Sequence, residues 1–259
     1  MFVVDEGPHD APVVVLLHGF SSSSHSYDLL VPLLVGAHRV VRVDLLGHGR
    51  TGGAAADAPA QADAVAGVMR VLDLTEVTVV GHSFGADVAV ELAARGAPVT
   101  ALVILAQAPD YSDADLPRAG GLMTQRWSPA LYRGVRPVFS GLAAAAERWP
   151  VLVRRDRTGL AAIALRDLHA LDPVMFRTVL VERRDRMAAV PLDAQVRGAG
   201  VPTLVVLAGR DHFYGDRSAG RYRAAGARVE VVAASGHALP VEFPAETAAF
   251  VEGFVAERA

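Results

Sequence analysis

With 259 residues, 52% of them hydrophobic and 20% charged, the chain is long enough to bury a substantial core within one large α/β domain. A net charge of −3 offers nucleic acid no basic footprint, and the apolar runs are broken by Gly, Pro or charges well short of the roughly 20 residues that a membrane-spanning helix needs. The absence of Cys excludes disulfides and thiolate sites, and the acidic start Met1-Phe2-Val3-Val4-Asp5-Glu6 lacks the basic region of a secretion signal, so a cytoplasmic protein is expected.

Val13 to Leu17 is a continuous apolar run, which reads as a buried strand, and it ends in His18-Gly19-Phe20. Ser21 to Ser24 follow, then a helical pattern through Leu29, Leu30, Leu33 and Leu34. Val40 to Val43 is a second strand, closed by Asp44 and a Gly-rich loop. Asp57 to Leu74 reads as a helix with Val65, Val68, Met69 and Leu72 on one face. The β-branched run Val77 to Val80 leads directly into Gly81-His82-Ser83-Phe84-Gly85, and a helical pattern of Phe84, Val88 and Leu92 starts at once, ending at Gly96. Ala101 to Leu105, Thr203 to Leu207 and Val229 to Val232 are further strands, and a helix from about Ala245 buries Phe250, Val251, Phe254 and Val255. Strands alternating with helices predict βαβ units and a mostly parallel sheet covered on both faces. The rhythm breaks between Asp110 and Asp193, where 13 Arg stand against 10 acidic residues. That segment, residues 110–193, is expected to be a helical cap inserted into a core of residues 1–109 and 194–259.

Gly-x-Ser-x-Gly between a strand and a helix is the pattern of a nucleophile elbow. A serine hydroxyl is a poor nucleophile unless a sharp turn presents it, and the flanking glycines leave room for that turn. The helix N-terminus beneath it favours negative charge at the reacting centre. A serine nucleophile also needs a base, a group to orient the base, and donors for an oxyanion. His237, in Ser235-Gly236-His237 after the last strand, is the candidate base. Asp211, in Gly209-Arg210-Asp211 after Thr203 to Leu207, is the candidate acid, with Asp110 as second choice. The order Ser83, Asp211, His237 is the one that an elbow on an α/β sheet requires. The backbone N–H groups of Phe20 and Phe84 are the candidate oxyanion donors.

These pieces together, with Asp44 and Gly47-His48-Gly49, resemble the α/β-hydrolase superfamily over most of the chain. The resemblance implies the α/β-hydrolase fold, a Ser83–His237–Asp211 triad and an esterase-like activity through an acyl-enzyme, with no cofactor. It says little about substrate. Three other readings share the scaffold: an acyl thioesterase, a C–C lyase or synthase of the menaquinone-pathway type, and a ligand sensor with the hydrolase fold. A serine at 83, where epoxide hydrolases and haloalkane dehalogenases carry aspartate, argues against those two activities. The family usually has two N-terminal antiparallel strands, and the twelve residues before Val13 leave the first without room.

Gly47-His48-Gly49-Arg50-Thr51-Gly52 matches Gly-x-Gly-x-x-Gly, yet the next strand ends without the acidic residue of a dinucleotide site, so a tight turn is expected instead. His18, His48 and His82 match no common metal spacing, and no metal is expected. Met123, Trp127, Leu131 and Trp149 are candidates to line an apolar acyl pocket, with Met175 and Phe176 beside them. Most arginines of the cap are expected to be solvated. The expected partner is a small-molecule acyl substrate, with neither nucleic acid nor membrane; oligomeric state is left open.

Overall fold

The computed structural model describes residues 1–112, 124–148, 160–214 and 216–258. Seven strands form one sheet: β1 (Val3–Glu6), β2 (Val13–Leu17), β3 (Arg39–Val43), β4 (Val77–His82), β5 (Val99–Leu105), β6 (Thr203–Ala208) and β7 (Arg228–Val232). Their order across the sheet is β1-β3-β2-β4-β5-β6-β7. Only β1 runs antiparallel, pairing with β3 through Val3 opposite Val43, and the other five pairings are parallel. The residues before Val13 therefore supply one antiparallel edge strand, which hydropathy alone did not reveal because all four of its residues are only half-buried.

The interior strands are continuous apolar runs because both faces of the sheet are covered. On one face α2 (Ala58–Val71) and α3 (Phe84–Ala94) pack with the helices that follow β5, burying Leu17, Val65, Met69, Phe84, Val88 and Leu92. On the other, α1 (Val31–Leu34) and the C-terminal helix Pro244–Ala256 bury Leu16, Leu34, Val80, Val103, Val251 and Phe254. Helix α2 starts where Asp57 accepts from the Ala60 amide at 3.0 Å, and its buried Ala58, Ala62, Val65 and Met69 recur at helical spacing.

β2 connects to β3 on one side and the chain then returns to β4 on the other, so the carboxyl ends of β2 and β4 flank a topological switch point, where α/β sheets form their crevices. Between β5 and β6 the chain inserts helices, including Ser128–Arg148, Leu160–Ala170 and Arg183–Ala189. The base of this insertion is closed by a 2.7 Å hydrogen bond from the Leu192 amide to the Pro109 carbonyl. Arg221 clamps the same point, donating to Asp110 at 2.8 Å and to Asp193 at 2.9 and 3.1 Å. Among the described residues no helix is long and apolar enough to cross a membrane.

Candidate active site

Ser83 follows β4 at φ 50° and ψ −120°, a positive-φ conformation that costs a non-glycine residue on the order of 1–3 kcal/mol. Its neighbours impose the turn. A Cβ on Gly81 would lie 2.4 Å from the Gly85 carbonyl oxygen, and one on Gly85 would lie 2.1 Å from that of Leu17. Only glycines let β4, β2 and the start of α3 approach so closely. The Ser83 amide donates to Leu105 at 2.9 Å, fixing the elbow to β5.

The loop after β2 is fixed by groups that the sequence shows only as scattered polar residues. The Leu45 amide donates to His18 Nε2 at 3.0 Å, which leaves Nδ1 to carry the proton and donate to the Gly19 carbonyl at 2.8 Å. Burial holds the His18 ring below its usual pKa, hence neutral. Asp44 accepts from the amides of Ser24 at 2.7 Å and Arg50 at 2.8 Å. Burial works to raise its pKa, but those donors hold it below the usual carboxylate range. Residues 47–52 form the expected tight turn, with Gly52 donating to His48 at 2.8 Å. Neither the Phe20 nor the Phe84 amide donates a hydrogen bond among the described residues.

Asp211 and His237 meet as expected. Asp211 Oδ2 lies 2.7 Å from His237 Nδ1, while Oδ1 accepts from the Phe213 amide at 2.8 Å. The Asp211 side chain is 1% exposed and that of His237 is 21% exposed. Burial pushes the Asp211 pKa up, but the imidazole and the two loop amides outweigh it and keep the carboxylate ionised. Nδ1 thus donates to Asp211, and Nε2 is the ring nitrogen outside that bond. Phe213 and His82 flank the imidazole, each with its ring centroid 5.0 Å away. Asp110, the second-choice acid, is committed to Arg221 and Ser112 instead.

Two residues in this geometry were not singled out for it by the sequence. His82, adjacent to Ser83, donates from Nε2 to the His237 carbonyl at 2.7 Å, and burial pushes its pKa down to about 3. It therefore joins the elbow to the His237 loop as a neutral ring. Glu242 accepts from the Gly236 amide at 2.9 Å and the Ala238 amide at 3.2 Å, on either side of His237. Its place five residues after His237, in the turn Leu239–Glu242, is the only signal that could have found it. No hydrogen bond joins Ser83 Oγ directly to His237 among the described residues.

The residues expected to form an apolar wall lie in different settings. Trp127 and Leu131 are 53% and 54% exposed. Phe176, expected beside them, packs edge-on to Phe20 at 5.1 Å, and Tyr132 packs on Phe176 at 5.4 Å. Met123 and Trp149 lie outside the described residues. Most described arginines of residues 110–193 are exposed or half-exposed, but Arg183 is buried and donates to Asp87 Oδ1 and Oδ2, each at 2.9 Å.

A strained serine between a parallel strand and a helix, with an Asp–His pair at the ends of the following strands, defines an α/β protein of the hydrolase type. The alpha/beta hydrolase family matches residues 14–250, and the chain belongs to it. The magnesium-chelatase 30 kDa subunit of Rhodobacter capsulatus is 37% identical over 95 residues, covering 36% of this chain and 34% of that one. A Bacillus subtilis (strain 168) protein provisionally named 2-succinyl-6-hydroxy-2,4-cyclohexadiene-1-carboxylate synthase is 35% identical over 100 residues, covering 35% and 34%. These matches span about a third of the curated relatives' length. Among solved structures, the enol-lactonase of Burkholderia xenovorans LB400 superposes with a TM-score of 0.74 at 22% identity, covering 98% of this chain and 96% of that one. An esterase from Rhodococcus sp. ECU1013 superposes with a TM-score of 0.73 at 21% identity, covering 99% and 94%. At that identity the likeness establishes the fold.

Proposed function

We propose that the protein is a serine hydrolase that cleaves a carboxylic ester or a related acyl bond of a small to medium apolar substrate. The observation that carries this reading is the 2.7 Å Asp211–His237 pair, joined through the His237 carbonyl to His82 beside the strained Ser83. Ser83 Oγ attacks the acyl carbon while His237 Nε2 takes its proton. The Phe20 and Phe84 amides hold the oxyanion, each donor contributing on the order of 2.7–4 kcal/mol to the transition state. His237 then returns the proton to the leaving oxygen. Water, deprotonated by the same nitrogen, releases the acid from Ser83. The Ser83–His237 hydrogen bond forms in the substrate complex, as catalytic contacts that are long in free enzymes commonly do.

In this reading residues 110–193 are the cap and its base is the Leu192–Pro109 contact. Haloalkane dehalogenase of Psychrobacter cryohalolentis is also a relative, 34% identical over 102 residues and covered over 32% of its length. A serine at the elbow speaks against that chemistry here: displacement of halide by Ser83 would leave an ether, which water cannot hydrolyse as it does an ester. The test is turnover of p-nitrophenyl esters of graded acyl length. Ser83→Ala is expected to abolish release of p-nitrophenol, and full activity in that variant would sink the mechanism.

A further inference from the structure

Beside the candidate site, a cavity of about 170 Å³ opens between the Ser21–Ser26 loop, the residues after His237, and the inserted helix Leu160–Ala170. Its walls are Ser21, Ser22 and Ser26 on one side and Ile163, Ala238 and Val241 on the other. His82 reaches it from the elbow, and Asp167 enters from the insertion. At that size it admits part of a substrate, since pockets for whole drug-sized ligands occupy roughly 300–1,000 Å³. Asp167 is 6% exposed, an unusual place for a carboxyl unless something pairs with it. Around it stand the Ser23 hydroxyl, which hydrogen-bonds to it, and His25, Asp28 and Asp44 at longer range. Among these the only group of opposite charge is His25, which is half-exposed and engaged with Asp28 at 2.9 Å. Of its own helix's neighbours, His169 is turned to the Arg136 carbonyl at 3.1 Å.

We propose that this cavity is the subsite for a neutral hydrogen-bond-donating substituent, a hydroxyl or amide N–H, carried by the substrate within a few bonds of the scissile carbonyl, and that Asp167 selects it. The inference rests on the hydrolase reading, because the cavity touches the neighbours of both Ser83 and His237, namely His82 and Ala238. The exposed lining is mostly apolar, and its few polar groups are Asp167, three serines and a neutral imidazole. Burial raises the Asp167 pKa to about 7, so near neutrality the group is only partly ionised and suits a neutral donor better than a cation. A donor bonded to Asp167 adds a second partner to the Ser23 hydroxyl, and an apolar substituent of the same size leaves the buried carboxyl with that one alone.

Binding can be read apart from turnover in a Ser83→Ala background by calorimetric titration with p-nitrophenyl butyrate and p-nitrophenyl 3-hydroxybutyrate. The hydroxy ester is expected to bind about tenfold more tightly. Adding Asp167→Leu should erase that gap, while Asp167→Asn, which keeps an acceptor oxygen, should retain part of it. Should the Leu variant not fold, Ile163→Phe fills the cavity from the same helix and must erase the gap. Equal affinities in the starting protein, or a gap that persists with Leu at 167, would overturn the proposal. Failure of the hydrolase reading shows separately, as no turnover of either ester by the protein with Ser83 intact.

Discussion

Ser83 holds its strained backbone only because Gly81 and Gly85 let three segments touch, so the strain is stored by packing rather than by Ser83 itself. Gly85→Ala would drive a methyl to 2.1 Å from the Leu17 carbonyl oxygen, and a loss of about 1–3 kcal/mol in chemical denaturation is expected together with lost activity. Asp211→Asn should leave the fold intact but let the imidazole take the wrong tautomer. A drop in kcat of roughly 10⁴-fold, the scale seen when the orienting carboxylate of a serine protease is so changed, is expected in steady-state kinetics. Asp167 makes a prediction of opposite sign to the paired carboxylates. Below about pH 4 it is protonated in both folded and unfolded chains. Between there and about 7 the folded protein keeps a proton that the unfolded chain releases, so stability falls with rising pH at up to roughly 1.4 kcal/mol per unit. Asp167→Asn should therefore gain thermal stability over the native protein at pH 8, and an equal difference at pH 4 and pH 8 would contradict the burial argument.

At the scale of elements, the insertion is tied to the nucleophile helix by a buried ion pair. Asp87 lies in the first turn of α3, four residues after Ser83, and Arg183 reaches it from the helix Arg183–Ala189 with both side chains 3% exposed. Gln107 also donates to Asp87 at 2.9 Å, and Arg183 hydrogen-bonds to the Tyr111 hydroxyl, which itself donates to the Val179 carbonyl at 2.8 Å. Such pairs add little net stability over apolar residues, yet breaking one strands a buried charge. Arg183→Met should cost about 3–5 kcal/mol in denaturant unfolding, and adding Asp87→Leu should recover most of it. Additive losses in the double variant would show that the pair is not coupled. Sequence reading treats the arginines of 110–193 as a solvated population, and Arg183 escapes that average because its partner lies 96 residues away. The strands and helices were legible for the opposite reason: apolar runs and helical spacing are local signals, while the half-buried Val3–Glu6 carries none.

For the whole molecule, groups distant in sequence stand on neighbouring loops: Gly19 beside Ser83, and His237 bonded both to His82 and to Asp211. The candidates were legible because motif order and strand ends name them without any knowledge of contacts. The support around them was not readable, because His82 to the His237 carbonyl and Glu242 to the flanking amides are long-range or turn-specific bonds between ordinary residues. The packing of the inserted helices was not readable for a similar reason: Trp127 and Leu131 are exposed, while Phe176 packs on Phe20. Acid lability also belongs to this scale. Arg39 holds Asp5 below its usual pKa, and hydrogen bonds outweigh burial to do the same for Asp44 and Asp211. The stabilisation they give is present at neutral pH and is lost as pH falls below about 4, which circular dichroism would follow. The most direct test of the acyl-transfer account is intact and peptide-level mass spectrometry after treatment with a fluorophosphonate. A single adduct on Ser83, absent in Ser83→Ala and slowed in His237→Ala, is the expected result. Ester turnover with no adduct on Ser83 would contradict the account.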